Sequence, residues 1–329
     1  MKISNLYIIS FFSLLIFSCG EEVPEEPVPT ETISDKIIYS KNPNGYNELY
    51  KLENGQESLL ISDENFDYWW SKVSPDKTKI LVYRSPTNPS RNHDDYEQAD
   101  LLIADIDGSN IEVIIPKGAY GWNAHGVARW SNDGQHILMC AEVDIGNSFQ
   151  WRLIRTNKTG GEPIVLSDRW AIDCNFSNDN KHIVFMGFMD NQLSFDLTNL
   201  ELQRGDYDSN LGTVTNIESL TDNNTRDHDP DFSPNDTQIL FSAGNALYTD
   251  VDLVVYDLAT NMELVIHDDD SANGGSMCWS PDGSKVYFHS LNIVGHPFRI
   301  KSVNLETGDV TTLLQTGDNG FGFIHPEAY

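Results

Sequence analysis

One phrase recurs along this chain and limits what it can fold into. An extended apolar stretch is followed by Ser, then Pro or Asn, then Asp or Asn, a polar turn, and a short β-branched or aromatic run. Full copies carry their serines at Ser74, Ser131, Ser177, Ser233 and Ser280, each leading into a run such as Ile80-Leu81-Val82-Tyr83 or Val286-Tyr287-Phe288. A truncated sixth copy, His325-Pro326-Glu327-Ala328-Tyr329, stops where the next Ser is expected, one residue past the last. The intervals of 57, 46, 56 and 47 residues suit four-stranded β-propeller blades of roughly 40 to 50 residues, with loop insertions in the longer ones.

Strand signals repeat between the serines. In the fifth unit residues 238–242 form one run, 252–258 alternate apolar and polar residues, and 262–267 follow a turn at Ala259-Thr260-Asn261. Hairpin turns are expected at Glu53-Asn54-Gly55, Asp107-Gly108-Ser109-Asn110, residues 157–161 and Glu306-Thr307-Gly308-Asp309, where Gly and Asn supply the positive φ of tight connections. Near the start, residues 36–39, 47–52 and 58–61 read as second, third and fourth strands with no first strand before them. Residues 321–329 are the missing innermost strand.

The expected fold is therefore all-β: a six-bladed β-propeller over residues 36–329, four antiparallel strands per blade, its ring closed by the C-terminal strand so that no long edge stays free. An open β-solenoid or two sandwich domains also use evenly spaced strands, but neither relates the truncated last copy to the absent first strand. Residues 199–213, with Gly205, Asp206, Asp208 and Gly212, interrupt the fourth unit and read as an exposed insertion.

The run Trp279-Ser280-Pro281-Asp282-Gly283-Ser284-Lys285-Val286-Tyr287-Phe288 resembles the WD40-like repeat of TolB-type β-propellers, and residues 101–115 and 253–266 match the strand–turn–strand element that accompanies it in that family. The resemblance covers residues 36–329. It implies a fold more than a function, because the same repeat builds transport, peptidase-associated and lyase propellers. Periplasmic TolB carries an α/β domain before its propeller, for which this sequence leaves no room. Propeller-bearing serine peptidases append an α/β-hydrolase domain with a G-x-S-x-G elbow, and that motif does not occur here.

Met1-Lys2 followed by the apolar residues 6–17 has the build of a signal peptide and is too short to span a bilayer comfortably, a single-span anchor being the alternative. It ends in Ile16-Phe17-Ser18-Cys19-Gly20, which resembles a bacterial lipobox. The resemblance implies cleavage after residue 18 and acylation of Cys19, attaching the protein to a membrane, since each buried methylene adds about 0.8 kcal/mol. Residues 19–35, rich in Glu, Pro, Val and Thr, bury too little apolar surface to fold and form an extended tether. Acidic residues directly after the lipidated cysteine resemble the surface-export signal of Bacteroidetes lipoproteins, which implies an outer-membrane lipoprotein on the cell surface or the periplasmic side.

Fifty acidic residues against 21 basic give a net charge of −29, which repels phosphate backbones and argues against nucleic acid as a partner. Divalent cations or basic groups are compatible partners. Besides Cys19, the cysteines Cys140, Cys174 and Cys278 are spread over three units without a C-x-x-C pair, so they read as small buried residues rather than a zinc or redox site.

Innermost strands converge on the central channel, so residues five or six positions before each Ser crowd one mouth. They include Trp69, His125, Asp227, His228 and His325, with Asp173, Asp229, Asp231 and Glu327 nearby. Trp70 and Trp122 lie close to blade entrances, and His93 and His296 belong to neighbouring loops. Trp69, His93, His125, His228, Asp229 and His325 are the candidate ligand-binding set. His125, His228 and His325 are also the candidate ligands for a divalent cation in the channel, imidazole being a common metal ligand and carboxylates able to fix its tautomer. Two functions follow. One is a membrane-anchored binding module holding a peptide, glycan or protein at the channel mouth, favoured because no nucleophile system is recognisable. The alternative is an enzyme resembling oligogalacturonate lyase, in which a channel metal held by histidines supports proton removal beside a uronic carboxylate.

Overall fold

The structure, a computed structural model, describes residues 36–88, 95–188, 197–245, 250–268, 273–290, 298–315 and 321–329. The leader, Cys19 and the tether, as well as His93 and His296, lie outside the described residues.

Six four-stranded antiparallel sheets form the blades of a propeller. Blade 1 joins β1 (Ile37–Asn42), β2 (Glu48–Glu53) and β3 (Gln56–Ile61) to the last strand of the chain, β24 (Phe321–Ala328), in the order β24-β1-β2-β3. Blade 2 contains β4 (Phe66–Val73), β5 (Lys79–Pro86), β6 (Asp100–Asp105) and β7 (Glu112–Ile115). Blade 3 contains β8 (Ala124–Trp130), β9 (His136–Asp144), β10 (Phe149–Asn157) and β11 (Ile164–Val165). Blade 4 contains β12 (Ile172–Phe176), β13 (His182–Phe188), β14 (Leu200–Asp208) and β15 (Thr213–Ser219). Blade 5 is built from β16 (Arg226–Phe232), β17 (Gln238–Gly244), β18 (Val251–Asp257) and β19 (Met262–His267), and blade 6 from β20 (Asn273–Trp279), β21 (Lys285–Ser290), β22 (Arg299–Asn304) and β23 (Val310–Gln315).

The closing strand pairs as expected, Ile37 opposite Ala328 and Ile38 opposite Glu327. Its register corrects the sequence reading by one residue. In every other blade the repeat Ser donates its backbone N–H to the residue five positions on, as in Ser74 to Lys79 and Ser280 to Lys285. Tyr329 makes the equivalent bond to Lys36, so the sixth position falls on Tyr329 itself.

The repeat Ser has a structural task. Its hydroxyl donates to the residue two positions on, Asp76, Asp133, Asp179, Asn235 or Asp282, over 2.6–2.8 Å. The same oxygen accepts the backbone N–H five positions on. That closed ring of bonds sets the turn from each innermost strand to the second. These bonds hold the carboxyls of Asp179 and Asp282 down at about 2, in Asp179 against the opposing effect of burial.

Second strands are apolar on both faces because each lies between two blades. In β5, Ile80 and Val82 pack with Ile38 and Leu49 of blade 1, while Leu81 and Tyr83 pack with Leu138 and Cys140 of blade 3. In β13, Ile183 and Phe185 face blade 3, and Val184 and Met186 face Ile239 and Phe241 of blade 5. The period-2 alternation thus distributes one strand over two interfaces, and the core runs around the ring between blades. Gly108 (φ 83°) turns where a Cβ would stand 2.4 Å from the Leu60 carbonyl, so only glycine fits between blades 1 and 2 there.

The expected insertion at residues 199–213 is overturned. Leu200–Asp208 is the regular third strand of blade 4, and its polar Glu201 and Gln203 are buried. Thr221 Oγ1 donates to Glu201 Oε2 (2.6 Å), and satisfied in that way a carboxyl stands where sequence patterning expects an apolar residue.

Candidate functional site

Four positions before the Ser site, each innermost strand passes through left-handed backbone: Trp70 (φ 52°), Val127 (55°), Asp173 (48°), Asp229 (54°), Ser276 (72°) and His325 (54°). The ladder register slips at each of them. Such backbone costs a non-glycine residue of order 1 kcal/mol or more. Its recurrence in all six blades ties it to the way an inner strand bends along the channel.

Two residues further on, Lys72, Arg129, Asn175, Asp231, Cys278 and Glu327 form a polar ring contributed by all six blades. They line a cavity of about 290 Å³ that opens among the Ser turns, at the end of the channel opposite the strand entrances. The next residues, among them Trp130, Phe176, Phe232 and Trp279, make its wall. Trp130 Nε1 donates to the Lys72 carbonyl (3.2 Å) and Trp279 Nε1 to the Asp231 carbonyl (3.1 Å), each indole clamping the blade before it.

Two charges in this ring form an ion pair, and a third is hydrogen-bonded to a neutral amide. Lys72 Nζ contacts Glu327 Oε2 at 2.6 Å, and the Asn175 amide donates to Asp231. Burial pushes the Asp231 carboxyl up to about 6, against the pull of Arg129 and Lys72 and with some help from Glu327. Arg129 is different. Its guanidinium lies over the Trp70 ring at 4.9 Å, and Trp70 is itself fixed by Nε1 donating to the Ala128 carbonyl (3.3 Å).

Toward the strand entrances the left-handed residues gather a second polar cluster. Arg226 Nε donates to His228 Nε2 (2.8 Å), which leaves His228 Nδ1 to donate to Asp173 Oδ2 (2.6 Å). Ser276 donates its backbone N–H to Asp229 Oδ2 (2.5 Å), and its hydroxyl shares a 2.5 Å hydrogen bond with His325 Nδ1. The His325 ring meets Trp70 edge-on at 5.2 Å. Burial, reinforced by the Asp173 charge, raises the Asp229 carboxyl, with His228, His325 and Arg129 opposing.

His228, Asp229 and His325 are thus brought together, with Asp173 fixing a histidine tautomer. Trp69 and His125 are not on the mouth, which corrects their placement. Trp69 is fully buried, stacked on Tyr83 at 4.7 Å and donating Nε1 to Ser85 Oγ (3.2 Å). His125 is 1% exposed, packed near Tyr83 and Trp122, and burial lowers its pKa to about 4. The physical reason lies in the register. Counted back from the Ser site, with Tyr329 as the sixth, His125 is out of step with His228 and His325, which meet in the polar cluster, while Trp69, at the position of His228, is held in the core by its stack on Tyr83. Among the described residues no three His, Cys, Asp or Glu side chains form a metal-holding group.

Cys140, Cys174 and Cys278 are buried and unbridged, as expected, but the 3.5 Å approach of Cys140 Sγ to Cys174 Sγ across blades 3 and 4 was not foreseen. Sequence reasoning also missed Lys72, Arg129, Asn175 and Cys278. Their signal was available: a polar or small residue two places before every Ser site, next to an apolar one.

No family model and no curated protein matches this chain. Solved structures do. TolB from Acinetobacter baumannii superposes with a TM-score of 0.69 at 15% identity, over 92% of this chain and 68% of its own. A putative TolB from Agrobacterium tumefaciens gives 0.63 at 18% identity, over 90% and 97%. Oligogalacturonate lyase from Vibrio parahaemolyticus gives 0.54 at 14%, over 88% and 81%. The chain has the six-bladed TolB-like propeller fold, and identities this low speak to fold alone.

Proposed function

We propose that this propeller is a binding module that holds a protein or peptide partner through its central channel, and that acylation of Cys19 tethers it to a membrane of the cell envelope. The observation that carries this reading is the six-blade polar ring around a cavity of about 290 Å³, near the lower size of ligand-binding pockets. Concave walls of Trp, Phe and Pro with a few fixed polar groups suit recognition. The structural likeness to TolB agrees with an interaction role, and a glycan is the other class of ligand that such walls accept.

A photo-crosslinking residue at Asn132, on the cavity rim, is expected to capture a discrete partner in the native envelope, whereas the same residue at the exposed Leu264 on the outer strand of blade 5 captures none. Equal capture at both sites, or none at Asn132 together with no hit on a glycan array, refutes the binding reading. The tether is tested separately: Cys19→Ala is expected to release the protein from the membrane fraction. Turnover of an oligogalacturonide by the purified protein, abolished by His228→Ala, would establish the lyase alternative instead.

A further inference from the structure

We propose that the channel cavity is a carboxylate site, in which Arg129 receives the C-terminal carboxylate of a peptide; this rests on the binding-module reading above. Arg129 is 5% exposed, and its Nε is sealed from solvent without a hydrogen-bond partner. Among the described residues no hydrogen bond or ion pair reaches its guanidinium, whereas Lys72 in the same ring is bonded to Glu327; Asp231 and Asp229 act on Arg129 by charge alone, and burial raises both carboxyls toward their neutral form. A buried guanidinium left without a hydrogen-bonding anion is costly, and proteins rarely keep one unless a ligand completes it. The Trp70 ring covers the guanidinium from one side at 4.9 Å, and Arg129 lines the cavity. A planar fork of donors is matched by a carboxylate, which it binds through two parallel bonds.

The peptide source follows from what adjoins the cavity. A groove of about 560 Å³ between blades 2 and 3 shares Pro75, Trp130 and Asn132 with it, so a chain whose last residue reaches Arg129 has a path out past Trp130. The net charge of −29 does not forbid an acidic terminus, because exposed charges are screened beyond about 8–10 Å while the contact with Arg129 is local.

The test is affinity selection on the immobilised protein from a pool of randomised tetrapeptides, offered as free acids and as C-terminal amides, with mass-spectrometric readout. Free acids are expected to be retained roughly 10- to 100-fold over amides, the range of a charge-assisted bidentate pair. Arg129→Gln is expected to abolish the preference, and Arg129→Lys to keep part of it, both with no drop in thermal midpoint, which shows the ring intact. Equal retention of acids and amides, no retention of either, or a preference that survives in folded Arg129→Gln overturns the proposal. Succinate and galacturonate form a second arm: an Arg129-dependent thermal shift with them and no peptide retention would reassign the site to small acids. A partner crosslinked at Asn132 while acids and amides bind alike leaves the binding module standing and removes only the carboxylate.

Discussion

Asp227 offers a stability test with a defined sign. Its carboxyl is fully buried at the start of the innermost strand of blade 5, within reach of two hydroxyls: Thr225 Oγ1, which also bonds Asn223 Oδ1 (2.5 Å), lies 2.7 Å from Oδ1, and Thr221 Oγ1 lies 3.0 Å from Oδ2. Thr221 has one hydroxyl hydrogen and already donates to Glu201 Oε2 at 2.6 Å, so the Asp227 contact is satisfied only when Asp227 carries a proton. Burial is the main cause that raises this carboxyl to about 7, with the Glu201 charge adding and the hydroxyls opposing. A carboxyl is protonated below about pH 4 in the unfolded chain, and here the folded chain keeps its proton to about pH 7, so stability falls as pH rises across that window. At about 1.4 kcal/mol for each pH unit, the loss approaches about 4 kcal/mol. Asp227→Asn cannot ionise, and its amide can donate to Thr221. Urea unfolding of both proteins from about pH 4 to about pH 8 should therefore give a stability difference that starts near zero and grows to about 3–4 kcal/mol in favour of the variant. A difference that is constant with pH, or a wild type that gains on the variant as pH rises, refutes the shared-proton arrangement.

His125 carries the opposite sign. Burial lowers its pKa to about 4, so the stability it contributes is complete above about pH 6.5 and is lost as pH falls toward 4, by about 3 kcal/mol; His125→Phe should flatten that part of the profile in the same unfolding series. In the turns, Ser280→Ala removes a bond to Asp282 Oδ1 (2.7 Å) and one from Lys285 N–H (2.9 Å), and chemical denaturation should show a loss of about 1–2 kcal/mol. Adding Asp282→Ala should cost less than it does alone, because the two side chains act as one unit. At the ring closure, Glu327→Gln leaves Lys72 buried without its anion and should cost about 3–5 kcal/mol by urea unfolding, most of which returns when Lys72→Met is added.

The fold was legible because its signals are local and repeated. Ser with Asp two places on makes a turn by its own hydrogen bonds, and the apolar runs after each turn can only be strands buried on both faces. The fourth blade was misread because Gly205, Asp206, Asp208 and Gly212 look like loop residues, and the strand shows itself only when Thr221 is seen to accept the Leu202 N–H and to donate to the buried Glu201. His125 stands apart from His228 and His325 because it lies one place further from its Ser than His228 does. Tyr329 takes the place of Ser without resembling it, and that one-residue offset made His325 look equivalent to His228.

The sequence by itself determined the number of blades, the turn that begins each second strand, and the return of the last strand to the first, since all of these follow from spacing and from bonds between near neighbours. Only the tertiary structure decided which inner-strand side chains meet. A left-handed residue in every innermost strand resets the alternation of faces, so Arg129 comes to stand over Trp70 from the neighbouring blade while His125 turns away into the core between blades. Direction after such a bulge depends on backbone angles fixed by neighbouring blades, and no pattern within one strand encodes it.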